Sequence, residues 1–382
     1  MRLRCLVVLL VLAGCNSQSS QEQFDLAVKY QNGDGVPADS TKAAELYTKA
    51  AKRGHAAAEF NLAVMYHSGD GVSKDAVQAA HWYAQAAEHG DKEAPLILAT
   101  MYDTADGLPR DPTKAAEWYR KAAENGDADA QVSLATMYAR GDGVAPDPSM
   151  AADWYKKAAA HGRMHAQFNL AVMYARGEGV PKDPAIAVEW YRKAADQDHP
   201  IAQFNLGALY YAGAGVPRDF DQALGWFNKS AKLGNADAQN ALGLMHQNGE
   251  GVSKNLPMAA EWFTKAAQQN HPEAQFNIAT LYYFGDGVSR DFTKAATWFR
   301  NAAQNGHPDA QFNFALMCLK GEGVPKDPAQ AYMWAELARR AGDANSAQLL
   351  ASIRKTIPPE QIAEAERKSR EWKPMQYRRS IQ

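Results

Sequence analysis

Three cysteines in 382 residues set the first limit on this chain. Cys5 and Cys15 fall in the first fifteen residues, in what reads below as a leader, and Cys318 then stands alone. A fold with one thiol left does not lean on disulfides. No Cys/His cluster has metal-ligand spacing, so neither a metal nor another cofactor is expected. A dominant charge sign is missing too: 41 Lys and Arg stand against 43 Asp and Glu. Without a basic stripe, nucleic acid is not an expected partner. The uncharged apolar run at residues 5–14 is about ten residues long, too short for a membrane-spanning helix.

What the chain has instead is a strict period. The second glycine of a G-x-G-V turn stands at Gly35, Gly71, Gly107, Gly143, Gly179, Gly215, Gly251, Gly287 and Gly323, every 36 residues without an insertion. A period of this size marks stacked supersecondary units, which offer a long groove more readily than a buried catalytic pocket.

Residues 166–198 show one unit. Leu170 and Tyr174 sit four apart with Ala166 and Ala171 on nearby rows, which is helical spacing and defines a helix A. Helix B opens at a column of Asp39, Asp75, Asp111, Asp147, Asp183, Asp219, Asn255, Asp291 and Asp327, residues whose short side chains accept from free N–H groups of a first helical turn. Pro112, Pro148, Pro184 and Pro328 follow, where a missing N–H is harmless. Helix B closes at Gly54, Gly90, Gly126, Gly162, Asp198, Gly234, Asn270, Gly306 and Gly342, residues that tolerate a left-handed cap. Five pairs with i,i+4 spacing, Glu45–Lys49, Glu117–Lys121, Asp153–Lys157, Glu189–Lys193 and Glu261–Lys265, predict ion pairs along helix B. Eight of the nine tryptophans, Trp82, Trp118, Trp154, Trp190, Trp226, Trp262, Trp298 and Trp334, share one register and read as inter-helix packing.

These residues resemble the Sel-one-like repeat, a relative of the tetratricopeptide repeat, from residue 22 to about 342. The resemblance implies an all-α fold: a right-handed superhelix of about nine helix-turn-helix units with helix A on the concave side. It also implies an adaptor for protein–protein contacts, often in the bacterial envelope. Repeat 3 departs, with Ala105-Asp106-Gly107-Leu108 at the turn and Pro95 near the start of helix A. Residues 343–373 read as C-terminal capping helices anchored by Trp372, and 374–382 as a tail.

The start of the chain resembles a bacterial lipoprotein leader. Arg2 and Arg4 precede the apolar run, and Leu12-Ala13-Gly14-Cys15 matches a lipobox. That resemblance implies a signal peptide over 1–14, lipid on Cys15 and a polar tether over 15–21. Asn16 after the cysteine, where Asp would retain the protein at the inner membrane, implies an outer-membrane anchor facing the periplasm.

Chemistry is sparse. His55, His199, His271 and His307 share a turn column with Asp91, Asp127 and Asn235 just before helix A, a capping position. Ser352-Ile-Arg-Lys355 fits S-x-x-K but lacks the accompanying S-D-N and K-T-G elements. The chain therefore reads as a non-enzyme. A β-lactamase-like or peptidoglycan-acting hydrolase is the alternative, and a polysaccharide-export scaffold a further one. Helical-wheel arithmetic places Asn61, Val64 and Ser68 opposite the packed side of helix A. The equivalent positions vary between repeats, as a binding surface is free to do. An asparagine ladder of Asn61, Asn169, Asn205, Asn277 and Asn313, with Arg140, Arg176 and Lys320, is the expected partner-binding groove. The expected partner is a protein of the cell envelope.

Overall fold

The computed structural model describes residues 19–375, and among them the regular structure consists of twenty α-helices with no strand. They form two compact units that meet in sequence between Ala166 and Gln167. The first unit holds α1 (Ser20–Asn32), α2 (Ser40–Ala51), α3 (Ala56–Ser68), α4 (Ala76–Glu88), α5 (Ala94–Thr104), α6 (Pro112–Glu124), α7 (Ala128–Arg140) and α8 (Pro148–Ala160). The boundary falls in the first turn of α9 (Met164–Arg176). The second unit continues with α10 (Pro184–Ala195), α11 (Pro200–Ala212), α12 (Phe220–Lys232), α13 (Ala236–Asn248), α14 (Leu256–Gln268), α15 (Pro272–Phe284) and α16 (Phe292–Gln304). It ends with α17 (Pro308–Lys320), α18 (Pro328–Arg340), α19 (Ser346–Ile353) and α20 (Pro359–Glu371). Odd helices through α17 are the A helices and the even ones through α18 the B helices. In the first unit α1 to α8 each pack on the next; in the second α10 to α18 do, and α18 also receives α19 and α20. The fold is an all-α solenoid.

The capping columns act as their chemistry requires. Asp39 accepts from the Lys42 N–H, Asp75 from Val77 and Gln78, and Asn255 from Met258, each satisfying donors that a helix start leaves open. At the other end of helix B, Asp198 and Asn270 take φ of 62° and 63°, the left-handed state glycine supplies in the other repeats. Pro95 is the second residue of α5, where helix A loses no hydrogen bond to it.

The second glycine of the turn is fixed by packing as well as by dihedral. A Cβ on Gly143 would stand 2.1 Å from the carbonyl oxygen of Pro112, at the start of the B helix one repeat earlier. The turn therefore lies directly on the preceding unit, and an insertion there would separate the stack.

Inside the helices one expectation, the packing of the tryptophans, holds with a refinement, and one is corrected. The tryptophan column is not the deepest aromatic row. Trp154, Trp226 and Trp334 are buried, but Trp82, Trp118, Trp190, Trp262 and Trp298 are only partly so. The residue one further on, Tyr47, Tyr83, Tyr119, Tyr155, Tyr191, Phe227, Phe263 or Phe299, is buried in every repeat that has it. At 100° per residue this position points more squarely at helix A. The i,i+4 lysines do not close the expected ion pairs among the described residues. Instead the ammonium groups of Lys121, Lys157, Lys193 and Lys265 lie 4.9, 3.7, 3.8 and 4.1 Å from the ring centroids of Trp118, Trp154, Trp190 and Trp262. A tryptophan half out of the core presents a π face to a lysine one turn on, and that face wins over a solvated carboxylate.

The ends refine the segment boundaries. Helix α1 starts at Ser20, and Ser19 with Glu22 forms a reciprocal capping box, so the last two residues read as tether are helical. At the other end Trp372 packs edge-on against Trp334, centroids 6.2 Å apart, while Ile353 and Ala365 are buried against the stack. The Met375 N–H donates to the carbonyl of Gln304 at 2.9 Å, so the two residues after Lys373 are tied to the fold. Residues 1–18 and 376–382, with Cys15 and the lipobox, lie outside the described residues. Among those described, no helix is long and apolar enough to cross a membrane.

Candidate partner-binding surface

The A-helix row that varies between repeats is where the groove residues lie. In the first unit Asn61 sits half-buried on α3, next to the hydroxyl of Tyr47 from the preceding B helix, and that contact draws the Tyr47 pKa back from the rise burial causes. Arg140 ends α7, exposed, and lines a polar recess of about 280 Å³ with Arg110, Asp103 and Asp142. Arg110 spans Asp103 and Asp142, so this recess holds charges of both signs.

In the second unit Asn169 is half-buried on α9. Asn205 faces Tyr191, whose pKa burial lifts to about 12 against the opposing pull of that amide. Where the B-helix aromatic is Phe263, with no hydroxyl, Asn277 turns elsewhere and donates to Oδ1 of the buried Asn240 at 3.2 Å. Asn61, Asn205 and Asn277 are thus engaged inside the stack, and the ladder is partly structural. Asn313 differs: it is half-buried, and no hydrogen bond to it is formed among the described residues. It lines a recess of about 260 Å³ with Phe276, Thr280, Phe284, Phe299 and Leu316. Phe284, 64% exposed, is the largest apolar side chain left open on this face.

The cations are tempered by their own turns. Arg176 lies 3.5 Å from Glu178, and Lys320 lies 3.7 Å from Glu322. Those carboxylates belong to a column that the sequence reading passed over, the middle residue of the glycine turn. The next repeat's carboxylate in that column accepts from helix A: Tyr211 Oη donates to Glu250 at 2.7 Å, and Tyr283 Oη to Glu322 at 3.0 Å. The Glu250 bond is the main reason the Tyr211 pKa stands above its usual value. Its period of 36 residues was the available signal.

The histidine column caps, as its position predicts. Nδ1 of His55, His199, His271 and His307 accepts from the backbone N–H three residues on, at 3.1 to 3.3 Å. An Nδ1 that accepts leaves Nε2 as the donor, and His271 meets Asp237 Oδ1 at 3.2 Å and His307 meets Glu273 Oε2 at 3.1 Å. A second row was missed: Gln131, Gln203, Gln239, Gln275 and Gln311 donate to the last-turn carbonyls of the preceding B helix at 3.0 to 3.3 Å. Its A-Q spacing was visible, but a glutamine carries no burial signal of its own.

Cys318 and Ser352 are each held by the fold. Cys318 is fully buried, and burial pushes its thiol pKa up to about 12. Ser352 Oγ donates to the Leu349 carbonyl of its own helix at 2.7 Å, so its proton is taken up by backbone rather than by Lys355. Among the described residues no group of three His, Cys, Asp or Glu side chains is placed to hold a metal ion.

Comparison with known proteins matches the Sel1 repeat family model nine times, at residues 23–55, 56–91, 96–127, 128–162, 165–199, 200–235, 236–271, 272–307 and 308–343. Among solved structures, a Sel1 repeat protein from Oxalobacter formigenes is 31% identical with a TM-score of 0.69, covering 88% of this chain and 94% of its own. The c5321 protective antigen of uropathogenic Escherichia coli, which has an SLR fold, is 33% identical with a TM-score of 0.60, covering 92% of this chain and 84% of its own. A search of curated proteins finds no match.

Proposed function

The chain belongs to the Sel1 repeat family, whose members mediate protein–protein interactions, and from that premise we propose that it is a lipid-anchored envelope adaptor. Its partner is a protein segment held along the A-helix row. Acyl chains on Cys15 fasten the solenoid to the periplasmic face of the outer membrane. The observation that carries the binding reading is the repeat 8–9 recess. A free amide at Asn313 stands there beside an exposed aromatic, Phe284, the pairing that peptide recognition uses for backbone and anchor side chain.

Phe284→Ala and Asn313→Ala remove these groups without breaking a hydrogen bond inside the stack, and Phe284 gives up only its edge contact with Tyr283. Both variants should keep wild-type helicity and lose capture of the partner from the host envelope. Equal capture by the double variant would end the reading. The anchor is tested separately: Cys15→Ser should abolish palmitate incorporation and release the protein from the membrane fraction. An active hydrolase remains the contrary outcome, read as turnover of a chromogenic β-lactam by the purified chain.

A further inference from the structure

The C-terminal cap carries a further recess that the adaptor reading does not use. It lies between α18, α19 and α20, has a volume of about 390 Å³, and is rimmed by four guanidinium groups: Arg339, Arg340, Arg354 and Arg370. Two carboxylates, Glu336 and Glu366, share the lining, which leaves two positive charges in excess.

The bonds inside the recess fix three of the arginines and spend only part of each. Glu336, 8% exposed, accepts from Arg339 Nε and Nη2 at 2.8 and 2.7 Å and from Arg340 Nε at 3.1 Å. Arg340 Nη1 reaches across to the Ser369 carbonyl of α20 at 3.2 Å. Arg354 donates through Nε to Tyr332 Oη at 2.8 Å and through Nη2 to Glu366 at 2.9 Å. Arg339 Nη1, Arg340 Nη2 and Arg354 Nη1 make no hydrogen bond among the described residues, and the Arg370 guanidinium makes none there either. A buried carboxylate that aligns two guanidinium planes, beside a third held by a tyrosine hydroxyl, is more than a cap needs. One bidentate pair would close the end of the stack.

We propose that this recess binds the phosphoryl group of a phosphomonoester. A dianion matches the two charges in excess, and tetrahedral oxygens can engage several planar forks at once, where a carboxylate saturates one. Orienting the forks beforehand spares the ligand that ordering cost. The recess is larger than a phosphoryl group, which leaves room beside it for the remainder of the ligand. The ester is either a soluble metabolite or a lipid that ends in a phosphomonoester, and the same cleft chemistry serves both.

Calorimetric titration of the full chain with inorganic phosphate, in phosphate-free buffer of low ionic strength, tests the assignment. Saturable binding is expected, weakened about tenfold or more in Arg370→Ala. The melting temperature should not move, because the Arg370 guanidinium bonds nothing in the fold. Arg367→Ala is the control: it lies on the same helix, is paired with Glu364 and Glu371, and should bind phosphate as wild type does. Absence of saturation, or equal weakening in the two variants, would overturn the proposal. Competition then distinguishes the sources. Displacement at lower concentration by glycerol 3-phosphate identifies a soluble ester, and by dihexanoyl phosphatidic acid a lipid; displacement by neither also overturns it.

Discussion

A single added methyl group separates the two jobs of the turn glycine. Gly143 has φ +73°, and a Cβ there would meet the Pro112 oxygen at 2.1 Å, whereas Gly35 has φ +75° and nothing within 4 Å. Gly35→Ala should cost about 1 kcal/mol, the strain of a left-handed alanine. Gly143→Ala adds a backbone collision and should cost about 3 kcal/mol or more. Urea midpoints of the two variants measure the difference, and equal values would place the glycine column in turn geometry alone. Repeat 3 offers the reverse case. Ala105 already sits at φ 59° where other repeats have glycine, so Ala105→Gly should raise stability by about 0.5–1 kcal/mol in the same assay. Both effects trace to residues whose periodic positions are plain in the sequence. The turn glycines and the Asp39-to-Asp327 caps were legible because the backbone constrains their type. Asn277 and Asn240 were not, since an amide at helical spacing has the same appearance facing solvent or a neighbouring helix.

Within the helices, the lysine one turn after each tryptophan decides between two weak attractions. Lys157 lies 3.7 Å from the Trp154 centroid and forms no ion pair with Asp153 among the described residues. Lys157→Met should therefore cost about 0.5–1 kcal/mol. Asp153→Asn should cost about zero. The opposite ranking would restore the ion-pair reading. Helix α18, the last of the B helices, carries a pH-sensitive contact. Hydrogen bonds from Arg339, then Arg340, hold the Glu336 carboxyl below its ordinary 4.5. A carboxyl depressed by folding contributes stability that is fully present above its unfolded pKa and is lost as pH falls through the folded value. The melting-temperature gap between wild type and Glu336→Gln should thus be constant near neutrality and narrow below about pH 4.5. A gap that widens on acidification would contradict the pairing. The A/B helix assignment was legible from Leu170, Tyr174 and the caps. The depth of the aromatic next to each tryptophan was not, because two adjacent aromatics on one helix differ only by a 100° turn that depends on where helix A lies.

At the scale of the whole molecule, nine equal hairpins solve one packing problem nine times, which is why the packed columns repeat and the A-helix row does not. The family and the all-α solenoid followed from that period. The recess beside Phe284 did not, because it exists only where Asn313, Phe299 and Phe276 from three helices converge. The adaptor account predicts that this row, and not the exposed B-helix surface, touches the partner. A photo-crosslinking amino acid in place of Phe284 should yield one discrete adduct in living cells of the host, while the same substitution at Val77, equally exposed on α4, should yield none. Adducts of equal strength at both positions, or none at position 284, would contradict it.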